Sequence, residues 1–178
     1  MKKDIKKEIL RVSSELFNER GYNEVSMRAI SDRLEISVGN LTYHYKRKED
    51  LVEAVLAEQL QGYQKPAPAT TLVDLNDFFM RILSHQEENA YYFKHYKQLA
   101  DISPKVYEIQ KEVIQDLRDA LEETFKNLKM AGLIRRDAFP DQTPCLIEIM
   151  MSICINGTVI GEMDRLKCLW SLVYPILR

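Results

Sequence analysis

Between Ser37 and Lys48 the chain reads SVGNLTYHYKRK. Asn40, Thr42, Tyr43 and His44 crowd hydrogen-bonding groups into one short stretch, and Lys46, Arg47 and Lys48 follow as consecutive cations. A carboxamide presents one donor and one acceptor, the complement of an adenine edge, and Thr and aromatic groups suit a thymine methyl or a phosphate. Gly39 lets a backbone approach closely, and flanking cations are what a phosphate chain needs. Ile36, Leu41 and Tyr45 read as the inward side of the same stretch. A packed helical corner would account for those three, but it gives no reason for the polar positions between them.

Composition permits this chemistry without demanding it. The chain has 178 residues, enough for one sizeable core or two small ones. It is 46% hydrophobic and 29% charged, which fits a globular protein and argues against disorder. The net charge is −2, so the chain as a whole does not advertise a polyanion partner. From Arg20 to Lys48, however, six cations (Arg20, Arg28, Arg33, Lys46, Arg47, Lys48) face three acids (Glu24, Asp32, Glu35), a local excess that suits a phosphate backbone. Cys145, Cys154 and Cys168 form no C-x-x-C pair, and an odd count argues for a reduced, cytoplasmic protein. The basic N-terminus lacks the uninterrupted apolar core of a signal peptide. The apolar run 144–161 contains Glu148 and Asn156 and reads as a buried helix, not a membrane span. No H-E-x-x-H, G-x-S-x-G, phosphate-binding loop or glycine-rich dinucleotide turn is present, and His44, His85 and His95 are scattered. An enzyme, a metal site and a bound cofactor are therefore not expected.

Helical periodicity runs along the chain, with no strand pattern and no internal repeat. Ile5, Ile9, Ser13, Leu16 and Phe17 share a face, and Gly21 stops that helix. Ser26 caps a predicted helix over 27–34, and Ser37 caps a very short one over 38–44. A fourth opens near Lys48 with Glu49 and Asp50 in its first turn. The stretch GYQKPAPATT, 62–71, marks a linker or sharp corner. Further helices are predicted over 72–88, 89–101, 104 to about 130 with Gly132 as stop, 143–162, and 164–177. Ser103-Pro104 is a strong helix start, and Pro140 and Pro144 precede the 143–162 helix. Two short helices joined by a tight turn, the second poor in apolar residues, match a helix-turn-helix. The expected fold is all-α with about nine helices. A three-helix DNA-binding domain covers 1–47, and a larger helical effector-binding and dimerisation domain covers 48–178, joined through a helix over 48–63.

The segment LFNERGYNEVSMRAISDRLEISVGNLTYHYKRKEDLVEAVL, with Leu16-Phe17, Gly21-Tyr22, Ser26-Met27-Arg28, Gly39, Leu41, His44-Tyr45 and Lys48 to Leu51, resembles the DNA-binding domain of the TetR/AcrR family of transcriptional regulators. By position, that resemblance implies DNA contacts from Ser26, Met27 and Arg28 at the start of the second helix. It further implies contacts from Ser37, Val38, Asn40, Thr42, Tyr43 and His44 on the third, and from Lys48 beyond it. Three positions depart from the family pattern. Glu35 stands where glycine is usual, so either the turn differs or the fold bears roughly 1 kcal/mol of backbone cost. Thr42 replaces a phosphate-contacting tyrosine, and Arg47 replaces a helix-capping residue.

Beyond residue 60 the resemblance thins. Aromatic and Met residues at helical spacing are most often core, yet tyrosines and a histidine crowd 91–107. The expected ligand-binding residues are Phe79, Tyr92, Phe93, His95, Tyr96, Met150, Met151 and Cys154, with His95, Tyr92 and Gln98 as polar anchors for a mostly apolar small molecule. Both C-terminal helices are apolar over much of their circumference and call for cover on two sides, which a two-fold partner supplies. A homodimer through 143–162 and 164–177 would let each protomer read half of a near-palindromic site. The sequence thus points to a ligand-responsive regulator, a repressor by resemblance. Two alternatives stay open. One is an all-helical small-molecule-binding protein whose helix-turn-helix has lost specific DNA binding. The other is a DNA-binding protein that answers to a protein partner.

Overall fold

A computed structural model describes residues 4–60, 63–88, 96–156 and 164–178. Among these there are nine α-helices: α1 (Ile5–Arg20), α2 (Met27–Arg33), α3 (Val38–His44), α4 (Lys48–Leu60), α5 (Leu72–Glu88), α6 (Tyr96–Ile102), α7 (Pro104–Met130), α8 (Gln142–Asn156) and α9 (Arg165–Val173). The expectations at 89–95 and 157–163, including Tyr92, Phe93 and His95, lie outside the described residues, as does the side chain of Tyr96. No helix among the described residues is long and apolar enough to cross a membrane, and none of their His, Cys, Asp and Glu side chains gather in a group of three that could hold a metal.

The chain forms two compact units. The first comprises Met1–Gln64 and His95–Gln110. By packing, α4 belongs to this unit. The reason is that α4 sets Leu51, Val52, Val55 and Leu56 in the core alongside Ile9, Val12, Leu16 and Phe17 of α1. Residues 96–110 join the same unit through side chains. Gln98 and Asn23 exchange amide hydrogen bonds, and the Ser103 hydroxyl donates to Glu53 Oε1 at 2.5 Å while accepting from the Lys105 N–H.

The second unit comprises Lys65–Lys94 and Lys111–Arg178. Its core holds Leu75, Phe78 and Phe79 of α5, Leu121, Phe125 and Leu128 of α7, Ile147, Met150, Met151 and Cys154 of α8, and Leu169 and Val173 of α9. The Pro-rich stretch is stitched to α7 instead of hanging as a linker. The Ala69 N–H donates to Thr124 Oγ1 at 2.8 Å, Asn127 Nδ2 donates to the Ala69 carbonyl, and Lys65 pairs with Asp116 and Asp119. A reciprocal cap starts α5: Thr71 Oγ1 accepts from the Asp74 N–H, and the Asp74 carboxylate accepts from the Thr71 N–H. These bonds, those from Thr71 foremost, hold the Asp74 pKa below the usual carboxylate range.

The last helix is shorter than expected. It ends at Val173 and passes into a 3₁₀ turn over Tyr174–Ile176. Pro175 offers no N–H, and its ring would clash with a carbonyl of the preceding turn. The freed backbone then pairs as an isolated antiparallel bridge between Ile134 and Leu177, a small piece of β pairing that the sequence pattern did not disclose.

Candidate nucleic-acid interface

Four helices frame the candidate interface, and each has an end fixed by short-range chemistry. Gly21, at φ 81°, closes α1 with its N–H on the Phe17 carbonyl. Ser26 opens α2 by accepting from the Ala29 N–H at 3.1 Å, and Ser37 opens α3 in the same way from the Asn40 N–H at 3.1 Å. α4 begins after Arg47, whose backbone N–H and guanidinium both reach the Asp50 carboxylate at 3.0 Å. Asp50 thus makes the reach-back half of a capping box, satisfying the Arg47 N–H, whereas an arginine at position 47 has no acceptor to offer the N–H groups of the first turn.

The turn between α2 and α3 settles the question posed by Glu35. Its φ is 55°, in the left-handed region. The Glu35 N–H bonds the Asp32 carbonyl and the Ile36 N–H bonds the Ser31 carbonyl. This nested pair is the usual glycine-centred helix stop. The same pair recurs after α7, where Gly132 at φ 72° and Leu133 bond Lys129 and Leu128. The turn is thus of the glycine type, and a side chain bears it. Glu35→Gly is expected to stabilise the protein by about 1 kcal/mol, read as a higher urea midpoint at unchanged slope; an unchanged or lower midpoint would mean that Glu35 contacts offset the strain.

α3 is anchored inward by Leu41, which is fully buried. Ser37, Val38, Gly39, Asn40 and Tyr43 are exposed. Tyr43 is 85% exposed and sits edge-on to His44 with ring centroids 5.2 Å apart. Thr42 is half-buried, and its hydroxyl contacts the Val38 and Gly39 carbonyls at 3.0 and 3.2 Å. On α2, Met27 is half-buried, and the Arg28 side chain is 84% exposed with Asp32 at 3.9 Å, the limit of an ion pair.

The basic triplet divides its tasks. Lys46 is exposed. Arg47 is paired with Asp50. Lys48 turns inward: its Nζ donates to the Tyr22 and Val25 carbonyls at 2.8 and 2.9 Å and lies 4.0 Å from the centroid of the Tyr22 ring. Burial lowers the Lys48 pKa, with the Glu49 charge acting against it. Burial, followed by the Glu49 carboxylate, pushes the Tyr22 phenol up to about 12. Lys48 thus ties the α1–α2 connection to the start of α4, a role the sequence reading had not assigned. One of its three ammonium protons is left for a phosphate.

The comparisons place this arrangement. The model described as bacterial regulatory proteins, tetR family, matches residues 9–55, which span α1 to α4. Residues 9–55 of this chain are thus similar to the N-terminal segment of tetR-family regulators. The HTH-type transcriptional regulator QacR of Staphylococcus aureus strain Mu50 is 43% identical over 62 residues, 35% of this chain and 33% of QacR. The match thus spans about a third of that relative. The TetR likeness extends through the fold of the whole chain. A TetR-family transcriptional regulator from Marinobacter aquaeolei VT8 superposes with a TM-score of 0.83 at 22% identity, covering 100% of this chain and 92% of that one. The ketosteroid transcriptional regulator KstR2 of Mycobacterium tuberculosis gives 0.67 at 18% identity, covering 100% and 97%.

Four of the residues expected to bind a ligand lie in the interior of the second unit. Phe79, Met150, Met151 and Cys154 are core members of the second unit, and burial pushes the Cys154 thiol up to about 12. A surface depression of about 590 Å³ lies elsewhere in that unit, lined by Ala67, Pro68, Ala69, Asp74, Asp77, Met80 and Arg81.

Proposed function

We propose that this protein is a cytoplasmic transcriptional repressor that binds a near-palindromic DNA operator as a homodimer and is released by a mostly apolar small molecule. The observation that carries the reading is the outward face of α3. A helix held by a single fully buried leucine exposes Val38, Asn40 and Tyr43, residue types that fold stability does not require and base edges can use. Ser26, Met27, Arg28, Ser37, Thr42, His44 and Lys48 complete the contact set. Support for the homodimer comes from Ile149 of α8, 48% exposed, and Tyr174 just after α9, 76% exposed, apolar groups that a two-fold partner would cover. The apolar effector is supported by the likeness to KstR2, a ketosteroid regulator, and by Met150 and Met151, flexible side chains able to repack around a ligand.

The test is binding of the purified protein to DNA from directly upstream of its own gene, against shuffled DNA, over a salt series. Preference for the native fragment, lost when Asn40→Ala and Tyr43→Ala are combined, is the expected result, and compounds are then screened for release of that fragment. Equal and steeply salt-sensitive binding to both would reduce the interface to phosphate contact. No binding to either would favour a small-molecule-binding protein with a silent helix-turn-helix.

A further inference from the structure

Resting on the reading of α3 as the base-reading helix, we infer that the base pairs beneath it are A·T pairs, and that any guanine in the half-site is read from α2. Guanine shows two acceptors, O6 and N7, in the major groove and is read by a side chain that brings two donors, Arg or Lys. The described surface of α3 carries neither. Its one imidazole, His44, is half-buried and edge-on to Tyr43, and two imidazole nitrogens that point apart cannot both face one guanine edge.

Cytosine's N4 amino group is read by a carboxylate, and α3 contains no Asp or Glu. What α3 does expose matches adenine and thymine. Asn40 has the donor and acceptor that fit adenine N7 and N6. The isopropyl group of Val38, 41% exposed, and the ring of Tyr43 are apolar surfaces for the thymine methyl. Thr42 adds to these. Its hydroxyl proton is engaged with the Val38 and Gly39 carbonyls, so Thr42 brings no donor to a guanine edge and offers its methyl to thymine. The guanidinium of the proposed contact set belongs to Arg28 on α2. A guanine contact therefore falls outside the register of α3.

The experiment selects binding sites for the full-length protein from a pool of randomised duplexes and repeats the selection with Asn40→Ala. The positions whose preference changes are those read by α3. The expected result is A·T at those positions, with discrimination for adenine of at least about tenfold that Asn40→Ala removes. Selected duplexes are then resynthesised with deoxyuridine for thymine or 7-deazaadenine for adenine at those positions. Each change is expected to weaken binding severalfold while the protein stays unaltered. Enriched sites with G·C at the Asn40-dependent positions would overturn this inference and leave specific DNA binding intact. So would indifference to Asn40→Ala or to both modified bases. A pool that yields no enriched motif would overturn the reading of α3 itself.

Discussion

Replacing Phe79 by alanine is expected to lower the unfolding free energy by about 3–5 kcal/mol. Against a typical domain stability of about 5–15 kcal/mol, that is a large share. Phe79 is fully buried, with the ring of Phe78 at 6.1 Å and that of Trp170 at 6.0 Å, both edge-on. The indole is itself held, because Trp170 Nε1 donates to Asn76 Oδ1 at 3.1 Å. With one partner pinned and the other on the same helix, the space left by the phenyl ring cannot close cheaply, so the variant loses both the transfer energy and the edge contacts. Trp170 is the chain's single tryptophan, so its fluorescence during urea unfolding reports on this core directly. A loss below about 1 kcal/mol, with altered binding of an apolar compound, would show that Phe79 lines a ligand cavity instead.

Lys48→Met should destabilise the first unit by about 2–3 kcal/mol, since hydrogen bonds to charged groups contribute about 1.5–3 kcal/mol each and this ammonium is only partly buried. The substitution keeps the aliphatic stem and removes the ammonium. The Tyr22 and Val25 carbonyls then lose a shared donor, and the Tyr22 ring loses a cation at 4.0 Å. DNA binding falls as a secondary effect, because the α1–α2 connection that leads into Ser26 is no longer held. Far-UV circular dichroism during denaturation and binding over a salt series separate two roles. A lowered midpoint identifies a structural clamp. An unchanged midpoint, with weaker binding and a salt slope reduced by about one, would identify a plain phosphate contact.

Much of the helix punctuation was legible because its signals are local. Ser26, Ser37 and the Ser103-Pro104 pair mark helix starts, Gly21 and Gly132 mark stops, and the structure uses each as such. The polar, uncharged character of α3 could be read directly. Lys48 could not, because its partners Val25 and Tyr22 lie 23 and 26 positions away and nothing in the surrounding pattern announces them. The bond from the Arg47 N–H to Asp50 was not read for a related reason: the acidity of Asp50 had already been explained by the helix dipole. The Pro-rich stretch read as a joint because composition reports backbone stiffness, not the Thr124 and Asn127 side chains that receive it. Periodicity placed Phe79, Met150, Met151 and Cys154 inward, but inward is a direction that a core and a cavity share.

The way α3 is fastened has a consequence for how such a protein changes over generations. Its ends are set by the Ser37 hydroxyl and the Tyr45 N–H, which bonds the Leu41 carbonyl, and its depth is set by Leu41. The side chains at positions 38, 40 and 43 take no part in these fastenings. Substitutions there are nearly neutral for folding, so they can accumulate and be sorted by what the helix recognises. A duplicated gene could acquire a new target by changes at these positions while the rest of the head stays as it is. Glu35, in a strained turn one element earlier, leaves about 1 kcal/mol that a single change to glycine could recover to offset a less favourable substitution on the helix that follows.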